Sequence, residues 1–324
     1  MLRLYSVAAN TFTETIRQPI YGVILLATVI LLILNVSLAA FTLDDDNKLL
    51  LDLGLSTLLL SGLFLAAFSA AGVLSREIDN KTVLTVVSKP ISRPTFLLGK
   101  FLGLIAALAV QFYLNTLVFI LTVRHGVLDY SSKPWDSPVL TFGIGATLCA
   151  LVIGACCNYF YGFDFPGTVV AIFSPLLTFA VLLVGKFGKE WEVIPWGSQY
   201  IGGQVLIAAF LVWLVVVVMT SVAVAASTRC GQMATLLICT VVLGLGIVSD
   251  YALGRHEATS TLALGVYRLL PNVGPFWVID GLHAGKDQTA IPLAYVGYAT
   301  SYALLLTSGI LGLAVAAFQR REVG

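Results

Sequence analysis

A charged segment, Ser75 to Lys100, carries the side chains with the greatest capacity for chemistry in an otherwise apolar chain. Its ionisable residues are Arg76, Glu77, Asp79, Lys81, Lys89, Arg93 and Lys100. Leu74, Ile78 and Leu84 recur at roughly helical spacing among these charges, which predicts a surface helix that Pro90 ends. Apolar runs long enough to cross a bilayer flank the segment on both sides. It is therefore either a solvated cytoplasmic loop or a docking element that receives force from a soluble partner.

Residues for covalent, metal or nucleotide chemistry do not form recognisable motifs. Gly99-Lys100 and Gly185-Lys186 lack the glycine spacing and the following Ser or Thr of a phosphate-binding loop. The middle of each apolar run has no ionisable residue, which argues against a proton- or sodium-coupled carrier and against an intramembrane protease. Neither the histidines nor the vicinal Cys156-Cys157 have the spacing of a metal site. The sequence predicts no enzyme, no catalytic residue, no metal and no cofactor of its own.

Neutral polar side chains do occur inside the apolar runs. The clearest are Asn35, Asn158 and the pair Gln111 and Asn115, which are four residues apart and so share a helix face. In lipid such groups seek partners on neighbouring helices. They are interpreted as contacts between helices or, alternatively, as the lining of a substrate path.

The composition predicts the kind of helices in which these residues lie. The chain has 324 residues, of which 58% are hydrophobic and only 11% are charged, with a mean hydropathy of +0.95. This predicts an all-α integral membrane protein, and a net charge of +1 gives no reason to expect a nucleic-acid partner. The predicted spans are Ile20–Phe41, Leu53–Leu74, Phe101–Val123, Val139–Phe160, Phe165–Gly185, Gln204–Ala226, Met233–Val248 and Ile291–Phe318. These make a polytopic bundle of about eight transmembrane helices, or nearer six if Val139–Gly185 holds one crossing and a re-entrant piece.

The remaining segments complete the predicted organisation. Residues 1–18 read as an amphipathic helix in the membrane interface, with Tyr5, Ala8, Phe12 and Ile16 on one face. Residues 19–324 form one transmembrane domain, in which 250–290 is an interfacial segment on the outer side. If both termini lie on one side of the membrane, that side has ten Lys and Arg residues and the opposite side has eight. The ten lie close to helix ends, which predicts cytoplasmic amino and carboxyl termini.

The charged segment resembles the first cytoplasmic loop of ABC-2 type exporter permeases. The resemblance rests on Glu77, Lys81-Thr82-Val83-Leu84, Val87-Ser88-Lys89-Pro90-Ile91-Ser92-Arg93 and Gly99-Lys100. Two further stretches are similar to the family's last helix and the region before it: Leu270-Pro271-Asn272 through Phe276-Trp277, and Phe318-Gln319-Arg320-Arg321-Glu322.

The resemblance implies the permease subunit of an ATP-driven exporter in a plasma or bacterial inner membrane. Its expected partners are a cytoplasmic ABC ATPase that binds the ATP, a second permease copy or paralogue, and membrane lipid. The segment would contain a coupling helix seated in a groove of the ATPase. The residues expected to make or orient that contact are Arg76, Glu77, Lys81, Thr82, Lys89 and Arg93. The alternative is a non-transporting membrane scaffold that recruits a soluble partner through the same segment.

Overall fold

The computed structural model describes most of the chain as α-helix. The described residues are 2–40, 46–79, 92–127, 135–195, 203–252, 271–279 and 291–319, and at 74–79 and 250 only the backbone is described. The α-helices in these ranges are α1 Leu2–Arg17, α2 Pro19–Ala39, α3 Asp46–Asp79, α4 Arg93–His125, α5 Ser137–Tyr161, α6 Phe165–Val184, α7 Gly203–Ser227, α8 Gln232–Ala252 and α9 Leu293–Gln319. A single isolated bridge, Phe187 with Val193, is the only β pairing in the described part.

The predicted all-α membrane architecture is confirmed. Eight described helices, α2 to α9, are long and apolar enough to cross a bilayer. The predicted spans Val139–Phe160 and Phe165–Gly185 are two separate helices, since α5 has 25 residues and α6 has 20. About 20 apolar residues suffice for a crossing, so the structure favours eight spans over six.

Proline and aspartate explain where α5 and α6 begin. Asp136 and Asp164 each precede a helix with proline in its first turn, and each carboxylate accepts a hydrogen bond from a backbone N–H of that turn. Proline is tolerated there because the first turn has no intrahelical acceptor for its missing N–H. Gly162, at φ +67°, ends α5 in the left-handed conformation that glycine adopts without strain. A three-residue turn therefore suffices between the two spans.

The fraction of buried residues differs among the spans. More than half of the spanning residues of α3, α4 and α7 are buried inside the protein, whereas fewer than a third are buried in α5, α8 and α9. A membrane helix that is apolar on all sides need not bury its whole surface against protein, because lipid can cover the part that protein leaves exposed. Hence α3, α4 and α7 provide most of the internal packing.

The chain divides into two compact units, which are described separately. The first unit comprises Met1–Thr15, Gly62–Leu108 and Phe210–Gly324, and the second comprises Ile16–Ser61 and Ala109–Ala209. The first unit holds most of α1, the amino-terminal half of α4, α8 and α9. The second holds α2, the carboxyl-terminal half of α4, α5 and α6.

Only part of the predicted outer segment 250–290 is described. Residues 271–279 contain a 3-10 turn, Gly274–Phe276, which lies beside α8 and α9. The backbone N–H of Val273 donates to the Gly246 carbonyl at 3.2 Å, and that of Asn272 donates to the Tyr302 hydroxyl at 3.1 Å. These hydrogen bonds join Asn272 and Val273 to α8 and α9 in the first unit, and 253–270 and 280–290 lie outside the described residues.

Candidate functional site

The start of α4 is fixed by the residues that close the charged segment. Ser92 caps the helix: its hydroxyl is 2.7 Å from that of Thr95, and its carbonyl accepts from the backbone N–H of Phe96 at 3.1 Å. Arg93 is the first helical residue, and Pro94 follows it in the first turn. This places Arg93 directly where the charged segment joins a transmembrane helix.

Arg93 binds the carboxyl end of α9. Its Nη1 donates to the carbonyl of Phe318 at 3.2 Å and to that of Gln319 at 2.8 Å. Its guanidinium also lies 5.9 Å from the centre of the Phe318 ring, which stacks on Phe96 of α4 at 6.3 Å. The last carbonyls of a helix have no intrahelical donor and carry partial negative charge, so a cation there is favourable.

A second arginine binds the same helix end. Arg229, which follows α7, donates through Nη2 to the carbonyl of Ala317 at 3.3 Å. Three successive carbonyls at the end of α9 thus accept hydrogen bonds from two arginines, one beside α4 and one beside α7. No sequence pattern predicts this pairing, because the residues lie more than 80 positions apart.

Lys100, whose side chain is buried, forms an ion pair with the partly exposed Glu14 of α1. Its side chain is 5% exposed, and its Nζ lies 3.6 Å from Glu14 Oε2 and 5.6 Å from the centre of the Phe96 ring. An ammonium group out of water is costly unless a carboxylate or polar group offsets the loss of hydration. Glu14 therefore anchors α1 to the first turns of α4.

Two glycines bring α1 and α4 into close contact. A Cβ on Gly99 would come within 2.7 Å of Val7 Cγ1, and one on Gly103 would come within 2.3 Å of the Ala8 carbonyl oxygen. The spacing of Gly99 and Gly103 is the small-xxx-small pattern that lets helix backbones approach. Together with Arg93, Phe96 and Lys100, these glycines form what is here named the α4 junction, the surface of α4 that holds α1 and the end of α9.

The most deeply buried residues of α1 are two threonines. Thr11 and Thr15 are fully buried, whereas Tyr5 is 75% exposed. Both threonine hydroxyls donate to backbone carbonyls four residues earlier, which removes their need for an outside partner. Small residues therefore meet the glycines of α4, and Tyr5 is free to face a membrane interface.

Most of the predicted coupling residues fall outside the described side chains. Arg76 and Glu77 lie in the last turns of α3, where only the backbone is described, and Lys81, Thr82 and Lys89 lie outside the described residues. Arg320, Arg321 and Glu322 at the carboxyl end are also outside them. Arg93 is the member of the set whose contacts are defined, and those contacts are within the chain.

The neutral polar residues of the second unit fall into two groups. Asn35 donates through Nδ2 to the Thr57 hydroxyl at 3.1 Å, which joins α2 to α3, and Asn158 donates to the Phe163 carbonyl at 2.6 Å in the turn after α5. Gln111 and Asn115, by contrast, are fully buried, and none of their four side-chain polar atoms has a hydrogen-bond partner among the described residues. Of the four predicted path residues, these two in α4 retain unused hydrogen-bonding capacity.

A buried arginine at the other end of α4 was not predicted as a site. Arg124 pairs with Asp136 at 3.2 Å, and both side chains are buried. Its other nitrogens donate to the carbonyls of Val184 and Phe187, at the end of α6. Arg124 thus connects α4, α5 and α6 within the second unit, and Asp136 also caps α5. The sequence does not predict this role, because Arg124 and Asp136 lie at the ends of two apolar spans, where charged residues are expected to face water.

No metal-binding group is found among the described residues: no three or more His, Cys, Asp and Glu side chains converge there. The vicinal cysteines are free, with Cys156 exposed and Cys157 partly buried.

Comparison with known proteins gives no assignment: the chain matches no protein-family model and no curated protein.

Proposed function

We propose that this chain is the membrane-spanning permease subunit of an ATP-driven exporter of the ABC-2 type. It would work as a dimer with two copies of a separate cytoplasmic ATPase. The resemblance of the charged segment Ser75–Lys100 to the family's coupling loop motivates the proposal. The observation that carries it further is the α4 junction, which links the end of that segment to two other helices.

The junction offers a route for force. A displacement of the charged segment reaches α4 through its capped first turn at Ser92 and Arg93. Arg93 holds the end of α9, and the ion pair of Lys100 with Glu14 holds α1. Interfaces packed this closely move as bodies rather than deform gradually. A partner that pushes on the segment would therefore shift α1, α4 and α9 together.

The pairing of helix ends is compatible with cytoplasmic termini. Eight consecutive crossings place the start of α2, the start of α4 and the end of α9 on one side. Arg93 joins the last two of these within the first unit. In the second unit, Arg17 pairs with Asp164 at 3.1 Å, which joins the start of α2 to the start of α6. Arg17, Arg93 and Arg229 would then lie on the cytoplasmic side, as the excess of basic residues there favours.

The interior suggests how a substrate would be contacted. Gln111 and Asn115 offer amide donors and acceptors without charge, in a region where an unsatisfied polar atom is costly. A rocking movement that opened α4 to water or to substrate would satisfy them. The substrate itself would then carry polar groups that accept and donate hydrogen bonds.

Co-purification tests the proposal. The tagged protein is solubilised gently from its native host, and co-purifying proteins are identified by mass spectrometry. We expect a stoichiometric P-loop ATPase whose hydrolysis rate changes in the complex. The Glu77→Ala, Lys89→Ala double variant should lose it, whereas Glu190→Ala, in the loop after α6, should retain it.

Arg93→Ala would not test ATPase binding alone, because Arg93 also stabilises the end of α9. A variant that loses the ATPase must therefore keep the wild-type elution profile and thermal transition. A clean preparation without an ATPase, under conditions that preserve other membrane complexes, would refute the exporter proposal. It would favour the scaffold, which could recruit a different soluble partner through the same segment.

A further inference from the structure

Two apolar cavities lie along α2 in the second unit. One has a volume of about 300 Å³ and is bounded by α2, α4, α5 and Leu177 of α6. The other has a volume of about 420 Å³ and is bounded by α2, α5 and α6. Both are partly open, and Ile33, Ile144 and Leu148 at the rim of the first are about half exposed.

The cavities form one groove, here named the α2 groove. Val29 and Thr147 line both of them, so they meet near the middle of α2 and α5. The α2 lining runs from Pro19 to Ser37. At the rise of an α-helix this is roughly 27 Å, close to the thickness of the hydrocarbon core of a bilayer.

The groove presents carbon rather than hydrogen-bonding atoms. The hydroxyl of Thr147 donates to the Gly143 carbonyl at 2.9 Å, and that of Thr122 donates to the Phe119 carbonyl at 2.8 Å. His125, at one end, has its Nδ1 3.1 Å from the Gly126 carbonyl. Because most lining residues are apolar and these three polar atoms already have partners in the chain, a ligand gains little from polar groups inside the groove and much from apolar surface.

We propose that the α2 groove binds the acyl chains of membrane phospholipids. An apolar cavity of about 150 Å³ accommodates the six carbons of benzene, so by proportion the two cavities accept roughly 12 and 17 carbons. Each therefore matches one acyl chain, with one chain entering from each leaflet. The ion pair of Arg17 with Asp164 lies next to Pro19 and Phe165, at the end of the groove, where a headgroup would lie.

A helix from a second copy fits less well. A helix with its side chains is about 10 Å across, so a 27 Å length occupies roughly 2,000 Å³. That is nearly three times the combined volume of the two cavities, which are about 300 and 420 Å³. The inference concerns lipid binding alone, and it does not depend on the proposed exporter function.

Photolabelling tests the groove. The full-length protein is placed in phosphatidylcholine nanodiscs that contain a trace of phosphatidylcholine with a diazirine on one acyl chain. After illumination, labelled residues are mapped by mass spectrometry. We expect the groove-lining residues of α2 and α5 to be labelled more than the outward residues Leu304 and Leu305 of α9, which are 60% and 74% exposed.

Two glycines on α5 provide a matched pair of variants. Gly143 lines the groove, and a Cβ there would meet only the flexible end of Leu121, at 3.4 Å. Gly145 does not line it, and a Cβ there would meet nothing within 4 Å. Gly143→Phe should reduce groove labelling about tenfold, the loss expected if the ring displaces two methylene groups of the acyl chain. Gly145→Phe should leave labelling unchanged.

Thr147→Phe, which fills the junction of the two cavities, provides a second blocking variant if Gly143→Phe fails to fold. Groove labelling no stronger than that of α9 would overturn the proposal. So would wild-type labelling in both blocking variants. Groove labelling weaker than that of α9, together with crosslinks between two copies through α2 or α5, would assign the groove to a protein interface instead.

Discussion

The contact between Gly103 and α1 allows a quantitative prediction. In Gly103→Ala the new Cβ would lie 2.3 Å from the Ala8 carbonyl oxygen and 2.6 Å from Thr11 Cβ. Carbon contacts are ordinarily 3.5 Å or longer, so α1 must retreat by roughly 1 Å. Overpacking of this kind costs about 1–3 kcal/mol. The gain in helix propensity from alanine does not offset this cost, because α4 stays helical whether or not α1 is docked.

The assay measures how often α1 leaves α4. A Thr15→Cys reporter is introduced into a variant without native cysteines, since Thr15 is fully buried on the packed face of α1. Its reaction with a water-soluble maleimide then requires α1 to undock. We expect Gly103→Ala to raise the labelling rate by roughly 5- to 150-fold, the factor that corresponds to the overpacking cost.

The control is Gly309→Ala in α9, where an added Cβ would meet nothing within 4 Å. It should leave the labelling rate of the reporter unchanged. An unchanged rate in Gly103→Ala would refute the packing of α1 on α4. An equal rise in both variants would show that the reporter responds to general destabilisation.

Three further predictions concern the arginines and the buried amides. Arg124→Ala should lower the thermal transition markedly, because loss of one partner from a buried ion pair costs about 3–5 kcal/mol. Adding Asp136→Asn should recover part of the loss. If the effects of the two substitutions are additive, the pairing is contradicted. Arg93→Ala should make the last turn of α9 more susceptible to proteolysis, since hydrogen bonds from a charged donor contribute about 1.5–3 kcal/mol. Cleavage of the variant at the wild-type rate would argue against the contact. Gln111→Leu with Asn115→Leu should leave the thermal transition unchanged or raise it, because no partner among the described residues is lost; a large drop would reveal a structural role for these amides.

The extent of the spans could be predicted from the sequence. Leu53–Leu74 and Phe165–Gly185 were predicted from hydropathy alone, and they lie within or close to α3 Asp46–Asp79 and α6 Phe165–Val184. Length and apolarity suffice here, because every backbone polar group in lipid must be bonded within its own helix. Helix ends were predicted less accurately, since polar first turns such as Asp46-Asn47-Lys48 extend the helix beyond its apolar part.

The packed face of α1 could not be predicted in this way. Tyr5, Ala8, Phe12 and Ile16 form the apolar stripe; Ile16 is buried but Tyr5 is exposed, and the fully buried residues are Thr11 and Thr15. An apolar stripe indicates which face avoids water, and both lipid and protein satisfy that requirement. Whether a face meets protein depends on whether its side chains are small enough for the partner, which here is set by Gly99 and Gly103 on another helix.

An all-α membrane protein could be predicted from the sequence alone, because hydrophobic length and the need to bond every backbone group are local properties of each segment. The sequence also identified the charged segment and the residues of the amide pair Gln111 and Asn115. The contacts of Arg93 and Arg124, near opposite ends of α4, with the carboxyl ends of α9 and α6 became visible only in the folded chain. A helix end can recruit a cation from any distant segment that the fold brings to it, so the choice depends on packing rather than on spacing along the chain.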